Sequence, residues 1–204
     1  MKDRIILNLI LWRNKIRGCG KTQSYVKNVG PVPATIKREI VKCCGQKHHC
    51  NVLIETGTYL GEMIEYQADY FDKVYSVEIS DLFYRFSSDR LKKRKNISII
   101  HGDSSKVLAQ IIEKLDLTDR ILFWLDGHYS GGRTGMRGGV VCPIYEELAC
   151  IFNMRDGRDL ILIDDARLFN GMEGYPDLEE LKHFIRKNNE NAQITVEEDI
   201  IRIQ

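Results

Sequence analysis

The chain has no excess of charge: 30 Lys and Arg stand against 29 Asp and Glu, leaving +1 over 204 residues. Without a basic surplus there is no general electrostatic case for a nucleic-acid partner. It has no apolar run approaching the ~20 residues of a membrane-spanning helix. Its six cysteines do not make a disulfide scaffold in a chain this long, and Cys43 and Cys44 are adjacent, which hinders a bridge between them. A reducing, cytoplasmic setting is the simpler expectation. No small-residue cleavage site follows the apolar run Ile5–Trp12, so a secretory signal is not expected. That run reads instead as a helix packing on the domain, on a second copy or on a partner, with a membrane-surface helix flanked by Arg13, Lys15 and Arg17 as the alternative. No Tyr-x-x-x-Lys occurs, which removes the chemistry of a nicotinamide-dependent sugar dehydrogenase or epimerase.

What is present is organised around Asn51–Gly61, Asn-Val-Leu-Ile-Glu-Thr-Gly-Thr-Tyr-Leu-Gly. Val52–Ile54 is short enough for a buried strand, and Gly61 opens a segment with helical spacing. A glycine turn between strand and helix lets a ligand approach bare backbone at a helix N-terminus. A dinucleotide site wants G-x-G-x-x-G. Here the pattern is E-T-G-T-x-x-G, and the Glu55 carboxylate would repel a pyrophosphate. It suits a positively charged ligand, such as one bearing an ammonium or a sulfonium. The next strand-like run ends in Glu78, about 20 residues on, where a nucleotide-binding βαβ unit places its ribose-binding acid.

The length predicts one domain with an N-terminal extension: residues 1–33 as helix and glycine- and proline-punctuated linker, and 34–204 as the folded unit. Thr35 is a candidate cap for a helix over Ile36–Cys44. The cluster Cys43, Cys44, His48, His49, Cys50 has no standard zinc spacing and reads as a solvated turn. Beyond it strands and helices alternate. Strands are expected at Val52–Glu55, Val74–Glu78, Ile97–His101, Ile121–Leu125 and Leu160–Ile163. Helices are expected at Glu62–Tyr70, Ser80–Lys93, Ser104–Leu115, Pro143–Met154 and Asp177–Lys187. Ile194–Val196 and Ile200–Ile203 are too close for a crossover and form a hairpin. The fold class is therefore α/β, a doubly wound, mostly parallel seven-stranded sheet with an antiparallel C-terminal hairpin.

In such sheets ligands bind beyond the carboxyl ends of the strands. Those ends carry Glu55-Thr56-Gly57-Thr58, Glu78, His101-Gly102-Asp103-Ser104, Asp126-Gly127-His128-Tyr129 and Asp164-Asp165-Ala166-Arg167. Helix capping accounts for Asp103 or Ser104, but not for a carboxylate after all five strands. The series E-T-G-T-x-x-G, V-Y-S-V-E, H-G-D-S, W-L-D-G-H-Y-S-G-G and I-L-I-D-D-A-R, spread over residues 31–204, resembles class I S-adenosylmethionine-dependent methyltransferases. More narrowly it is similar to small glycan-associated bacterial and viral O-methyltransferase-like proteins. The resemblance implies a Rossmann-like fold with S-adenosylmethionine laid over the first three strands. Glu55, Thr56, Gly57, Thr58 and Gly61 would line the methionine end, Glu78 would take the ribose hydroxyls, and Asp103, with Ser104, would hold the adenine side.

Asp126, Asp164 and Asp165 come from strands expected to be neighbours, and converging carboxylates either raise their pKa values or bind a cation. An all-oxygen set suits Mg²⁺ or Mn²⁺, an arrangement similar to catechol O-methyltransferase-like enzymes, although those usually carry Asp-Asn where this chain has Asp164-Asp165. His128, two residues after Asp126, is the expected general base, with a fourth metal ligand or a structural donor as its other readings. Tyr129, Arg133, Arg137 and Arg167 are expected near an acidic or phosphorylated acceptor, Arg133 and Arg137 in a glycine-rich lid. The expected activity is metal-assisted O-methylation of a sugar, glycan or other small-molecule hydroxyl. A nicotinamide-dependent sugar dehydrogenase and a catalytically silent methyltransferase-like module are the alternatives.

Overall fold

The computed structural model describes residues 31–127 and 142–204. In chain order the elements are α1 (Ala34–Lys47), β1 (Val52–Thr56), α2 (Glu62–Gln67), β2 (Lys73–Glu78), α3 (Asp81–Leu91), β3 (Ile97–His101), α4 (Ser104–Ile112), β4 (Ile121–Leu125), α5 (Ile144–Met154), β5 (Leu160–Ile163), a 3₁₀ turn Ala166–Leu168, α6 (Leu178–Asn188), β6 (Ile194–Glu197) and β7 (Ile200–Ile203). The seven strands form one sheet in the order β3-β2-β1-β4-β5-β7-β6. β1 to β5 are parallel, and β7 runs antiparallel to both β5 and β6. No helix among the described residues is long and apolar enough to cross a membrane.

Side chains of a strand point alternately to its two faces, and both faces here are covered. Val52, Ile54, Ile121, Phe123, Leu125, Ile161 and Ile163 pack against α4, α5 and α6 through Leu108, Ile111, Leu148, Ile151, Leu181 and Ile185. Leu53, Val74, Leu122, Trp124, Leu160 and Leu162 pack against α1, α2 and α3 through Val41, Cys44, Ile64 and Leu91. This is why β1, β4 and β5 read as continuous apolar runs: strands buried on both sides have no polar face to alternate with. The β6–β7 turn has two residues, Glu198 and Asp199, both at positive φ (49° and 60°), the geometry that matches hairpin twist.

The first helix departs from expectation. It begins at Ala34 with Pro33 as its cap position and no side-chain cap bond, so Thr35 is inside the helix. It also runs on through Gly45–Lys47, so much of the Cys/His cluster is helical, and Cys44 and Cys50 are buried. Glycine survives in this helix because a Cβ on Gly45 would lie 2.5 Å from the Phe71 ring. Close packing there outweighs glycine's poor helix propensity.

The chain builds β1, β2 and β3 outward in one direction and then returns to place β4 on the other side of β1. The crevice between the ends of β1 and β4 is thus the switch point at which such sheets bind ligands. Backbone bonds carry the register one residue past the strands. Gly57 N–H donates to Val77 O (2.9 Å), Asp126 N–H to Thr56 O (3.1 Å), Asp164 N–H to Leu125 O (3.0 Å) and Gly102 N–H to Glu78 O (2.9 Å). The first residues after the strands are therefore held in a row by the sheet itself.

Gly57 closes that row. Its φ is +88°, and a Cβ there would sit 2.4 Å from the Asp126 carbonyl oxygen. Gly57→Ala has to strain its own backbone and push the β1 and β4 ends apart. It is expected to destabilise the fold by about 1–3 kcal/mol. Urea denaturation measures this, and an unchanged midpoint would show that the turn is not held as described.

Candidate functional site

Glu55 is the penultimate residue of β1 and is only 2 % exposed. Its Oε2 accepts from Ser76 Oγ (2.5 Å), and Ser76 Oγ is in turn 2.6 Å from Thr58 Oγ1. β2 supplies Ser76 because Glu55 and Ser76 are register partners. Burial pushes the Glu55 pKa up to about 8; the bond from Ser76 opposes the shift and the nearby Glu78 adds to it. At neutral pH Glu55 is a carboxylic acid beneath the turn.

The turn itself is left-handed at Gly57, Tyr59 and Gly61. Tyr59 adopts φ 48° despite its side chain, because its N–H donates to Glu78 Oε2 (2.8 Å) and its ring packs at a tilt against Phe83 with centroids 4.6 Å apart. Glu78 Oε1 accepts from Ser80 N–H (2.8 Å). Glu78, 5 % exposed, therefore staples the glycine turn to β2, a role its position in the sequence did not reveal. A carboxylate has about four lone-pair sites, so two N–H bonds leave it capacity to accept from a diol.

Asp103 caps α4, with Oδ1 accepting from Ser105 N–H (3.1 Å) and Ser105 Oγ (2.8 Å). Ser104 is buried behind it. Beside them His101 stacks on Tyr84 at 4.9 Å with an 18° interplanar angle, forming a flat aromatic wall at the β3 end. The sequence signal for that pair was weak, because the two residues are 17 positions apart and meet only when α3 folds back on β3.

Thr56 points to the opposite face from Glu55. There Thr56 Oγ1 and Glu147 Oε1 are buried without hydrogen-bond partners, on either side of Gly127. Glu147, from α5, is 1 % exposed, and burial pushes its pKa up to about 7. An acid in the first turn of a helix, where acids are common, gives little warning of such a place.

The acceptor side differs from expectation. Asp126, Asp164 and Asp165 do converge, but they do not form an open metal cage. Among the described residues no group of three or more His, Cys, Asp or Glu is placed to hold a metal ion. The physical reason is Lys37, whose ammonium from α1 lies 2.6 and 2.7 Å from the two Asp164 oxygens and 2.7 Å from Asp165 Oδ1. Asp164 Oδ1 also accepts from Asp165 N–H (2.7 Å), and Arg167 Nη1 is 2.7 Å from Asp165 Oδ1. Lys37 and Arg167 thus occupy part of the acceptor capacity that a metal would use. Lys37 could have been found: 37, 41 and 44 form one buried stripe of α1, and a lysine in such a stripe needs an anionic partner.

Burial opposes the Lys37 charge, but Asp164 and Asp165 outweigh it and hold its pKa above the ordinary lysine value. Burial, then Asp165, lift Asp164 to about 6 against the pull of Lys37. Asp126 is raised well above the usual carboxylate range by burial and by the facing Asp164 and Asp165. Arg167 pairs with Asp165 and with Asp199 of the β6–β7 turn. Tyr175, buried against Phe169, feels the charges of Asp165 and Asp126. His128, Tyr129, Arg133 and Arg137 lie outside the described residues, as does the apolar run Ile5–Trp12.

The geometry has the outline of a cofactor crevice. Acids end β1 and β2, the floor is glycine, and no basic group among the described residues meets Glu55 or Glu78. The chain has the fold of the Rossmann-like methyltransferases. Solved structures similar to it include the O-methyltransferase from Bacillus cereus with S-adenosylhomocysteine (12 % identity, 97 % of this chain and 89 % of that one, TM-score 0.58). They also include the O-methyltransferase TomG of tomaymycin synthesis from Streptomyces achromogenes with S-adenosylmethionine (12 %, 84 % and 79 %, 0.57). A third is precorrin-6y C5,15-methyltransferase from Geobacter metallireducens (12 %, 89 % and 92 %, 0.56). No family model matches the chain, and no curated protein matches it in sequence.

The buried acids make stability fall with pH. Glu55 and Glu147 keep their protons in the folded state up to about 8 and about 7, whereas unfolded they lose them near 4.5. Between those limits the folded state binds more protons than the unfolded state, so raising the pH favours unfolding. The melting temperature is expected to fall between pH ~5 and ~8, and Glu55→Gln with Glu147→Gln should flatten the slope. A melting temperature that climbs across this window would mean both groups are ionised in the fold.

Proposed function

We propose that the chain is an S-adenosylmethionine-dependent methyltransferase acting on a hydroxyl of a sugar, glycan or other small molecule. The observation that carries this reading is the row of acids at the β1–β4 switch point. Glu55 and Glu78 offer a neutral acid and a carboxylate where a pyrophosphate site would offer backbone N–H groups and positive charge. Such a floor accepts an ammonium, a sulfonium and ribose hydroxyls. When bound, S-adenosylmethionine supplies a methyl group on positively charged sulfur; transfer breaks the S–CH₃ bond, forms the O–CH₃ bond and releases the acceptor proton.

The chain's own residues have three tasks. Glu78 accepts from the ribose hydroxyls while holding the turn through Tyr59 N–H and Ser80 N–H. Asp103, the stacked His101–Tyr84 pair and Ser104 border the adenine side. His128 follows Asp126 by two residues after β4, and His128 takes the acceptor proton. No step runs through a divalent ion, because Lys37 and Arg167 already engage the carboxylates that would hold it.

Calorimetry is expected to detect S-adenosylmethionine and S-adenosylhomocysteine but not NAD. Glu78→Ala should weaken both ligands at least ~10-fold, since it leaves ribose hydroxyls unmatched, and should also lower the melting temperature by freeing Tyr59. Binding of NAD, or full affinity in that variant, would sink the cofactor assignment. With labelled cofactor and a panel of sugar and phenolic acceptors, turnover is expected to persist in EDTA. His128→Ala should lower kcat by roughly 10²–10⁴ with cofactor affinity kept; a near-normal kcat would remove it from the mechanism.

A further inference from the structure

The Lys37 ammonium is the least expected group in the molecule. It is carried by α1, upstream of the glycine turn, yet it reaches the end of β5, 127 positions away in sequence. It is 8 % exposed, among otherwise apolar neighbours in the stripe Ile36, Val41 and Cys44. A hydrophobic residue would serve to dock the helix. A buried ion pair is weak evidence for stability, so docking alone does not account for the lysine. Asp165 supports the same view: it sits at φ 54°, in the left-handed region that few side chains adopt, with Lys37 and Arg167 both on Oδ1. Strain of this kind concentrates at sites of function.

Resting on the methyltransferase reading, we propose that Lys37 is a positioning residue that does the work of a metal: its ammonium is the resident cation that gathers Asp126, Asp164 and Asp165 into one cluster beside the acceptor. Three carboxylates this close repel one another unless a cation lies among them. An ammonium meets that need with directed N–H bonds and no loss of a metal hydration shell, and it is always loaded. It also leaves Asp164 and Asp165 oriented by four fixed bonds rather than by an exchangeable ion. The acceptor hydroxyl then meets preset acceptors of hydrogen bonds at the cofactor crevice.

The test removes the lysine and asks whether a metal takes its place. Mn²⁺ is titrated by calorimetry and followed by electron paramagnetic resonance. The proteins are wild type, Asp164→Asn, Lys37→Arg, Lys37→Met and Lys37→Met with Asp164→Asn. S-adenosylhomocysteine affinity is measured on each. Wild type and Lys37→Arg are expected to bind no Mn²⁺ tighter than ~1 mM. Lys37→Met is expected to gain a Mn²⁺ site at least ~10-fold tighter, and Asp164→Asn in the same chain to abolish it. A wild-type Mn²⁺ site lost in Asp164→Asn would overturn the proposal. So would a Lys37→Met chain that keeps its S-adenosylhomocysteine affinity but gains no Mn²⁺. If Lys37→Met does not fold, Lys37→Gln, polar and able to donate a hydrogen bond to the carboxylates, takes its place in the same comparison. Failure of wild type to bind S-adenosylhomocysteine would overturn the methyltransferase reading instead, and the Mn²⁺ titrations would still decide what Lys37 does.

Discussion

Mutual repulsion among acids is the constraint on which the rest of the site depends. Five parallel strands deliver Glu55, Glu78, Asp103, Asp126 and Asp164-Asp165 to one edge of the sheet. The structure meets that repulsion in several ways. Glu55 keeps its proton, because burial and the neighbouring Glu78 make its charge costly. Glu78 and Asp103 are met by N–H groups, the first from Tyr59 and Ser80, the second from Ser105. Asp164 and Asp165 are met by an ammonium and a guanidinium. Each solution leaves a different chemical character: a neutral donor, an oriented acceptor, and a fixed ionic cluster.

The opposite edge of the sheet shows what ordinary structural acids look like. There Asp159 pairs with Arg155 at 2.6 Å and accepts from Ile121 N–H at the start of β4, while Asp119 pairs with Lys73 at 2.9 Å and accepts from the Asn51 side chain just before β1. Among the described residues, Lys37 and Arg167 meet Asp164 and Asp165 at the carboxyl edge, while burial and the facing Asp164 and Asp165 raise the pKa of Asp126.

The Lys37 ion pairs also tie α1 to the site. α1 packs on the face that carries Leu53, Trp124 and Leu162, and it ends near the start of β1. Its Lys37 end reaches the carboxyl edge, while its Cys44–Cys50 end lies at the amino edge. One helix thus spans the sheet from the structural side to the functional side. The hairpin turn at Asp199 performs the same service from the other flank, anchoring Arg167 and the Ala166 N–H against the β5 loop.

Much of this was legible in the chain. Apolar runs bounded by glycine and charge located all seven strands to within a residue at each end, most plainly β1, β4 and β5, which are buried on both faces. The rule that ligands gather at the carboxyl ends then picked out Glu55, Gly57, Glu78, Asp103, Asp126 and Asp164 as neighbours. The sequence alone could not supply the partners that determine what each acid does. Glu78 is held by the N–H of Tyr59, 19 positions away, Asp164 by Lys37, 127 positions away, and Glu55 by Ser76 across a strand pairing. Local periodicity sets where a strand ends, and hence where its last side chain emerges. Whether that side chain is neutral, oriented or paired depends on burial and on groups brought near only by folding, and so only the tertiary structure brings Lys37 to Asp164 and Asp165.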